Sequence, residues 1–432
     1  MVNTLLGRDD VNPDQPNSAG VTSLGFAAYS GHEGVVKILL GRNDVNPNQP
    51  DSDGQTPLCW AASRGREAAV KTLLERDDVN SNKPDNYGKT PLCWAALNGN
   101  EGVVKILLGR DDVNPEQPDN TGRSPLWWAA RNGWEGVVKI FLGRDNLKPD
   151  QADISGQTPL HCASFNGYEG VVRTLLGRGN TNPDKLDHFG ITPLCGAASN
   201  GCEEVVRILL ERDDINPNQP DRDGKTPLCW AALGVRSEAE KILLRDEDVY
   251  PYELGKPLPR WAFAEDGWER LVKSCFVRAD INPGKLSKPL PRWVRARYGH
   301  ERVMKALLGR DGVDPNQPDG DGKTPLCWVA LEGNEVAVET LLGRDDVNPN
   351  QPDNYGKTPL CWAALNGNEG VVKILLGRDD VNPNQPDSDG ETSLSLAACN
   401  GHEGVVKILL GRDDVNPNQP ITTAKHHSVR LL

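Results

Sequence analysis

Apolar and polar positions along the chain recur with a period of 34 residues. Each period begins with a short apolar run such as LCWAA at 58–62, passes a polar Gly-containing break, and continues with a second apolar run such as VVKILL at 103–108. A long polar stretch then separates one period from the next. Apolar residues three and four positions apart share one face of an α-helix. The pattern therefore predicts two short helices and a polar connector in each period.

The residues at the predicted helix ends agree with this interpretation. Thr56 is a favourable N-cap, and Pro57 follows at the first helical position, where its missing N–H costs nothing. Asn98-Gly99 breaks the chain between the two helices, and Gly109 ends the second one. The connector, RDDVNPNQPDNYG at 344–356, is dense in turn residues and too polar for a core. We expect it to project as a hairpin-like finger.

Aligning the periods on a Thr-Pro-Leu-like tripeptide gives the number of repeats. Ten starts fit the alignment: Thr22, Thr56, Thr90, Ser124, Thr158, Thr192, Thr226, Thr324, Thr358 and Thr392. Two related segments, beginning at Leu258 and Leu290, divide the 98 residues between Thr226 and Thr324 into steps of 32, 32 and 34. The sequence thus predicts twelve repeats. One stretch is used twice without change, because residues 84–115 and 352–383 are identical.

The repeated unit resembles the ankyrin repeat, which combines a turn, two helices and a T-P-L-H-x-A box at a period near 33. The matching residues are Gly54, Thr56-Pro57-Leu58, Ala61-Ala62, Gly65, the run VVKILL at 35–40, and Asp44-Val45-Asn46. The resemblance implies an all-α solenoid of stacked repeats. The long finger with two prolines is similar to fungal ankyrin arrays that are often attached to NACHT-type signalling NTPases, but the sequence contains no GxxxxGK[ST] motif.

This alignment divides the chain into five parts. We predict a partial N-terminal repeat at 1–21, seven regular repeats at 22–255, two degenerate basic repeats at 256–312, three regular repeats at 313–420, and a tail outside the pattern at 421–432. The degenerate part has lost the box Thr and has shorter spacings. It is therefore also the place where we expect the stack to bend or break.

Composition and charge narrow the classes of function. The formal net charge of −13 disfavours nucleic acid as a partner of the whole molecule. No apolar run approaches the roughly 20 residues that span a bilayer, and the first residues lack the features of a signal peptide. Ten Cys without a glycosylation sequon favour a reducing compartment. We expect a cytoplasmic protein, with the nucleus as the alternative.

The chemically suggestive residues of the box have structural explanations. Cys replaces the box His at Cys59, Cys93, Cys195, Cys229, Cys327 and Cys361. Repeats stack about 10 Å apart, whereas a disulfide needs Cα atoms within about 7 Å, and one thiol per repeat does not assemble a metal site. We interpret these thiols as buried, reduced core residues. We likewise interpret the Trp that follows the box position as core between helix layers, with a ligand-binding ladder as the alternative; these are Trp60, Trp94, Trp128, Trp230, Trp328 and Trp362.

His161 alone keeps the box His of the family, and the resemblance implies that it bonds to Thr158 and nearby backbone. The sequence contains no GxSxG, HExxH or CxxC motif. Side chains of distant repeats do not meet in a stack, so they do not converge on one centre. We therefore predict no catalytic, metal or cofactor site, and no enzyme.

In the ankyrin family, partners usually dock on the concave face, which is made of the fingers and the first helices. By register, the candidate partner-binding residues are Tyr87, Lys89, Arg123, Arg131, Phe165, His188, Phe189 and Tyr355. Aromatic side chains among polar ones give a large contact area at low entropy cost. The alternative is that each is simply solvated. We predict a non-catalytic scaffold or recognition array that binds another protein, with a signalling domain that is separate or missing.

A basic segment supports a second hypothesis. Between Lys256 and Arg310 there are thirteen Lys or Arg and five Asp or Glu, so the segment carries +8. This asymmetry either attracts an acidic partner or balances acidic fingers nearby. The alternative function is binding of a polyanion, either nucleic acid or anionic lipid, through a basic patch that includes Lys256, Arg260, Arg292, Arg295 and Arg297.

Overall fold

The structure is a computed structural model, which describes residues 12–144, 147–234 and 292–418. All regular secondary structure in these ranges is helical. The first helices of the repeats are Ser23–Ser30 (α1), Pro57–Ser63 (α3), Pro91–Leu97 (α5), Pro125–Arg131 (α7), Pro159–Asn166 (α9), Pro193–Ser199 (α11), 227–234 (α13), Pro325–Glu332 (α15), Pro359–Leu365 (α17) and Ser393–Cys399 (α19). The second helices are Glu33–Leu40 (α2), Glu67–Leu74 (α4), Glu101–Leu108 (α6), Glu135–Leu142 (α8), Glu169–Leu176 (α10), Glu203–Leu210 (α12), Arg292–Leu308 (α14), Glu335–Leu342 (α16), Glu369–Leu376 (α18) and Glu403–Leu410 (α20).

The helix ends are those that the sequence predicts. The Thr56 side chain accepts a hydrogen bond from the backbone N–H of Cys59, and Pro57 occupies the first turn of α3. Between α5 and α6, Gly99 has a φ of 74°, which strains any residue with a side chain. A Cβ at Gly99 would also lie 2.5 Å from the ring of Trp134. The turn between the two helices therefore depends on glycine for its backbone conformation and for close packing.

The core is built from contacts between neighbouring repeats. Helix α5 packs on α3 and α7, and α6 packs on α4 and α8. Leu92 and Ala95 on α5, with Val104 and Leu107 on α6, are at most 1% exposed. Helices α5 and α6 have seven and eight residues, which is too short for either to be stable alone in water. Burial against the adjacent repeats therefore supplies most of the stability, as the all-α solenoid class predicts.

A row of arginines fastens each repeat to the one before it. Arg110 donates through Nη1 to the carbonyl oxygen of Leu74, 3.2 Å away, at the C-terminus of α4. Its Nε also bonds to Asp112 Oδ1 at 2.8 Å, which fixes the guanidinium. The cation thus satisfies a carbonyl that the helix itself leaves without a partner. The same bond to a carbonyl 36 residues earlier recurs at Arg144, Arg178, Arg212, Arg344 and Arg378.

An asparagine ladder joins successive fingers. Asn48 accepts through Oδ1 from the backbone N–H of Asn80 at 2.8 Å and donates through Nδ2 to the carbonyl oxygen of Asp78 at 2.6 Å. Equivalent pairs of bonds are made by Asn82, Asn316, Asn350 and Asn384. One amide side chain therefore satisfies both a donor and an acceptor of the next finger.

Aspartate breaks this ladder at three places. Asp14, Asp150 and Asp184 still accept the backbone N–H through Oδ2, but a carboxylate has no N–H to donate. The Oδ1 atom of each is buried without a hydrogen-bond partner. Burial raises the pKa of the Asp150 and Asp184 carboxyls. These fingers are therefore joined less firmly than those with Asn.

The contacts of residues 300–312 depart from a regular stack. His300 Nε2 lies 3.2 Å from the carbonyl oxygen of Ser199, and Asn218 Nδ2 donates to the carbonyl oxygen of Gly312 at 2.6 Å. These partners are 101 and 94 residues apart, whereas the same bonds elsewhere join residues 37 and 30 apart. Both separations have grown by 64, which is the sum of the two predicted 32-residue steps from Thr226 to Leu258 and from Leu258 to Leu290.

Helices α13 and α14 are arranged as the two helices of one repeat. A Cβ at Gly234, at the end of α13, would overlap the ring of His300, which is fully buried. Arg302 on α14 pairs with Glu203 at 3.4 Å. A linear stack of twelve repeats would place two further repeats between these partners. For residues 300–312 the contacts therefore favour one repeat split between α13 and α14.

Other parts of the predicted division fall outside the described residues. The structure does not describe residues 256–291, where we placed most of the two degenerate repeats and the bend, nor residues 1–11 and 421–432.

By its contacts the chain forms two compact units. One comprises residues up to Ala197 with Glu204–Pro227 and Arg310–Val313, and the other comprises Ala198–Glu203, Leu228–Gly309 and the residues from Asp314 onward. Each contact of residues 300–312 described above lies within one unit.

Restoring the ladder is expected to stabilise the protein. Asp150→Asn and Asp184→Asn each supply the missing donor, and each should raise the free energy of unfolding at about pH 7 by up to about 1 kcal/mol, since the sites are partly solvated. A carboxyl with a raised folded-state pKa favours folding below its unfolded pKa and loses that contribution as pH rises through its folded pKa. The advantage of Asn should therefore shrink as the pH is lowered toward the unfolded-state value of 3.8.

Urea unfolding of the two variants and the parent at neutral and acidic pH measures this difference. The reverse change, Asn48→Asp, is the matched control and should lose a comparable amount at neutral pH. Equal unfolding midpoints for the parent and both Asn variants at neutral pH would contradict the proposed loss of a donor.

The split repeat predicts a short distance between two labelled positions. Spin labels at Glu203 and Arg302 should report backbones about 10 Å apart, since that is the spacing of packed helices. In a linear stack of twelve repeats the same labels would be about 30 Å apart. Electron paramagnetic resonance distances, with labels at Glu101 and Glu135 as a reference for adjacent second helices, decide between the two arrangements.

Candidate functional site

The side of each repeat formed by its finger and first helix is called the finger face here. Each finger is organised around a buried aspartate. Asp85 is 6% exposed and accepts through Oδ1 from the backbone N–H groups of Tyr87 and Lys89 at 3.0 and 2.8 Å. Its Oδ2 accepts from Nε1 of Trp94, on α5, at 2.9 Å. One carboxylate therefore shapes the finger turn and ties it to the first helix.

The bond between aspartate and indole recurs along the array. It joins Asp51 to Trp60, Asp119 to Trp128, Asp319 to Trp328, and Asp353 to Trp362, at 2.9 to 3.0 Å. These tryptophans are partly exposed on the finger face. Our interpretation of them as core between helix layers is therefore wrong: each ring is partly exposed, and its N–H bonds to the finger aspartate. The spacing of nine residues between Asp and Trp could have revealed the pair.

Cations lie over these indoles. Lys89 Nζ is 5.0 Å from the Trp128 ring centroid and 3.7 Å from Asp119 Oδ2 in the next finger. Arg123 repeats the arrangement one step on: its Cζ is 4.6 Å from the Trp127 ring centroid, and its Nε is 3.5 Å from Asp153 Oδ2. Both residues are candidate partner-binding residues. The structure shows that both pair with an aspartate of the next finger. Lys89 lies over an indole of the next repeat, whereas Arg123 lies over indoles of its own first helix.

The finger tips present three of the predicted aromatic residues to solvent. Tyr87, Phe189 and Tyr355 are 57, 63 and 58% exposed. Their backbone carbonyl oxygens accept from the next finger, at N–H groups of Asn120, Arg222 and Ser388. The tips are thus fixed in the backbone while their rings remain uncovered. Ile154, which our final set of candidates omitted, is 66% exposed at a neighbouring finger position.

The remaining candidates occupy different surroundings. Arg131 is exposed at the end of α7, His188 is exposed on its finger, and Phe165 is half-buried on α9. Lys256 and Arg260 lie outside the described residues. Arg292, Arg295 and Arg297 lie on α14, in the part where the backbone alone is described. The basic patch therefore stays a prediction from sequence.

The box cysteines are structural. Cys59, Cys93, Cys195, Cys229, Cys327 and Cys361 are buried free thiols, which confirms the interpretation from sequence. Cys93 Sγ contacts the carbonyl oxygen of Gln117 at 3.7 Å. Burial raises the pKa of the Cys59 thiol to about 12 and that of Cys93 to about 11. These thiols stay protonated near neutral pH and so are poor nucleophiles.

His161 makes the bonds that the family resemblance implies. Its Nδ1 accepts from the backbone N–H of Thr158 at 3.2 Å, which leaves Nε2 to donate to the carbonyl oxygen of Ile191 at 3.0 Å. Burial lowers the pKa of this imidazole, so the neutral form is favoured. Within the described ranges, no group of three His, Cys, Asp or Glu residues is arranged to hold a metal ion. No described helix is long and apolar enough to cross a membrane.

The tie between carboxylate and indole can be tested by using the duplicated segment. Trp94→Phe should lower the free energy of unfolding by about 2 kcal/mol, because Asp85 loses a donor to a buried charge. Trp362→Phe should cause an equal loss, since Trp362 donates to Asp353 in a copy of the same sequence. Urea unfolding measures both changes.

Trp134→Phe is the control for this pair. Its indole donates to a neutral carbonyl oxygen, that of Leu97, and is 42% exposed, so the loss should be smaller. A loss for Trp134→Phe as large as that for Trp94→Phe would show that ring size, and not the bond to the carboxylate, sets the stability.

A comparison with family models identifies the repeated unit. A family model described as ankyrin repeats in three copies matches residues 1–83, 24–119, 110–185, 176–252 and 293–387, and a model of the single ankyrin repeat matches 389–421. Among solved structures, the chain is similar to the human ASB11 ankyrin repeat domain, with 27% identity over 48% of this chain and 90% of that one, at a TM-score of 0.43. A comparison with curated proteins gives no match.

Proposed function

The chain belongs to the ankyrin repeat family, and from this premise we propose that it is a non-catalytic recognition array that binds another protein through the finger face. Ankyrin repeats generally act as modules of protein–protein interaction, and their fold is typically non-catalytic. Within each of the two units, the stacked repeats hold the variable finger residues at fixed spacing. A partner of matching shape meets several of them at once.

The observation that carries this proposal is the set of exposed aromatic finger tips. Tyr87, Phe189 and Tyr355 are uncovered, but hydrogen bonds to the neighbouring finger and to an internal aspartate fix their backbones. Aromatic side chains are enriched among the residues that dominate binding energy at interfaces. Because the fingers are ordered in advance, binding avoids most of the entropy cost of arranging a loop.

The other candidates have supporting roles in this proposal. Lys89 and Arg123 set the charge between fingers, while Arg131, His188 and Phe165 widen the contact area around the tips. We further propose that the protein works in the cytoplasm or nucleus. From the long finger with two prolines, we also propose that it works beside a separate signalling domain, as in fungal arrays linked to NACHT-type NTPases.

A triple variant tests the finger face. Tyr87→Ser, Phe189→Ser and Tyr355→Ser together should reduce recovery of the bound protein from native cell extract at least tenfold, since three contact rings are removed. Quantitative mass spectrometry of material captured on the immobilised full chain measures the recovery. A matched control replaces exposed apolar residues of the second helices, Ile38→Ser and Val336→Ser, and should bind as the parent does.

The same capture experiment distinguishes protein binding through the finger face from the alternative function. Binding of nucleic acid or anionic lipid through the segment 256–310 would be lost at high salt and on reversal of its basic charges, with the finger variants unaffected. A protein retained at high salt by the parent and by the charge-reversed chain, but not by the finger triple variant, supports the proposal. Equal recovery by the parent and the finger triple variant would overturn it.

A further inference from the structure

The indole is missing from the first helix of two consecutive repeats. Cys162 on α9 and Gly196 on α11 stand nine residues after the finger aspartates Asp153 and Asp187. In five other repeats the residue nine positions on is a Trp that donates to the finger carboxylate. Asp387, which is followed by Leu396 at that spacing, instead receives a cation, Lys357, at 2.6 Å. Asp153 retains a cation, because Arg123 reaches it from the preceding repeat at 3.5 Å. At the position equivalent to Arg123, Gln157 donates a hydrogen bond to Asp187.

Asp187 is therefore a buried carboxylate with neither an indole nor a cation as its partner among the described residues. It is 5% exposed, and its Oδ1 accepts from the N–H groups of Phe189 and Ile191 at 2.8 and 2.9 Å. Its Oδ2 accepts only a long bond, 3.5 Å, from Nε2 of Gln157. A buried carboxylate is costly when its charge has no partner, so this oxygen has unused capacity for a cationic donor.

Aromatic groups border the same position. A Cβ at Gly196 would meet Phe165 at 3.8 Å, which is an ordinary contact, so Phe165 lies beside the place where other repeats hold an indole. Phe189, 63% exposed, occupies the finger position that Tyr87 occupies in the third repeat, and Ile154, 66% exposed, belongs to the preceding finger. Phe165 offers a ring but no N–H. Phe165 thus supplies the packing that the indole supplies in other repeats, but it does not replace the N–H that would donate to Asp187.

The chain itself shows which group fits this arrangement. One repeat earlier, the guanidinium of Arg123 lies over the rings of Trp127 and Trp128, at 4.6 and 5.4 Å, and pairs with Asp153. A guanidinium is planar, stacks on aromatic rings and can donate two parallel bonds to a carboxylate. Gln157 holds the register position of Arg123 but has no charge.

We propose that the fifth and sixth repeats, which begin at Thr158 and Thr192, form the centre of the interface and bind an arginine of the protein partner, with the guanidinium on Asp187. Gln157 gives up its long bond when the guanidinium enters. Residues flanking that arginine in the partner are apolar and lie against Phe189 and Ile154. The net charge of −13 favours the approach of such a basic segment. This inference rests on the proposed function. It adds where on the finger face the partner binds and which side chain of the partner is recognised.

The test uses peptides from a random display library selected on the full-length chain. Each selected peptide is resynthesised with citrulline, a neutral analogue of similar shape, in place of arginine, and both forms are titrated by fluorescence anisotropy. The proposal predicts that the selected peptides contain arginine beside apolar residues, and that citrulline lowers affinity at least tenfold. A library with no arginine-dependent binder, or citrulline forms that bind as well as the arginine forms, would falsify it.

Two variants test whether the arginine of the peptide binds at Asp187. Gln157→Arg supplies an internal guanidinium in the manner of Arg123, so it should preserve folding and reduce the affinity of the arginine peptides at least tenfold. Gln55→Arg makes the same substitution in the second repeat, where Asp85 already has Trp94, and should leave affinity unchanged. Asp187→Asn should reduce affinity like Gln157→Arg. If circular dichroism shows that Asp187→Asn is unfolded, Gln157→Arg still decides.

The outcomes also separate this inference from the proposed function. Peptides that lose binding with the triple finger variant but bind Gln157→Arg normally would overturn the arginine site and leave the finger face as the interface. Peptides that bind the triple finger variant as well as they bind the parent would count against the finger face itself.

Discussion

The hydrogen bond between a buried finger aspartate and the indole of the same repeat is the interaction on which the finger face depends. The finger is a polar segment with no core of its own, and its position relative to the helices would otherwise rest on backbone turns alone. A carboxylate that accepts two backbone N–H groups and one indole N–H fixes the turn and its attachment in one step. Because the acceptor is charged and nearly buried, each of these bonds is stronger than one between neutral groups.

The other ties act between neighbours and repeat at a fixed interval. The arginine that caps the preceding second helix, the asparagine ladder and the finger backbone bonds each join one repeat to the next. A repeat therefore needs only the correct neighbours, whatever its place in the array. This explains how residues 84–115 and 352–383 can be identical: the bonds from Trp94 to Asp85 and from Trp362 to Asp353 are 2.9 and 3.0 Å long.

The fold could be predicted in detail because its signals are local. The N-cap at Thr56, the glycine turn at Gly99 and the burial of Cys93 follow from residue type and period. The role of the tryptophans could not be read from hydrophobicity, since an indole is apolar in its ring and polar at its N–H. The site at Asp187 was missed for another reason: it is marked by residues that are absent, namely an indole at Gly196 and a cation at Gln157. Such a gap becomes visible only when the partners of the other aspartates are known.

The split of one repeat between α13 and α14 changes how the array folds. A regular repeat closes over a turn of a few residues, so folding can begin at many places and spread outward. Here the two helices are 57 residues apart along the chain, so they meet only through contacts between residues distant in sequence. Such contacts form slowly. On the ribosome, the repeats before Thr226 are complete long before residue 300 is synthesised, so the array acquires an order of assembly that its uniform period alone would not impose.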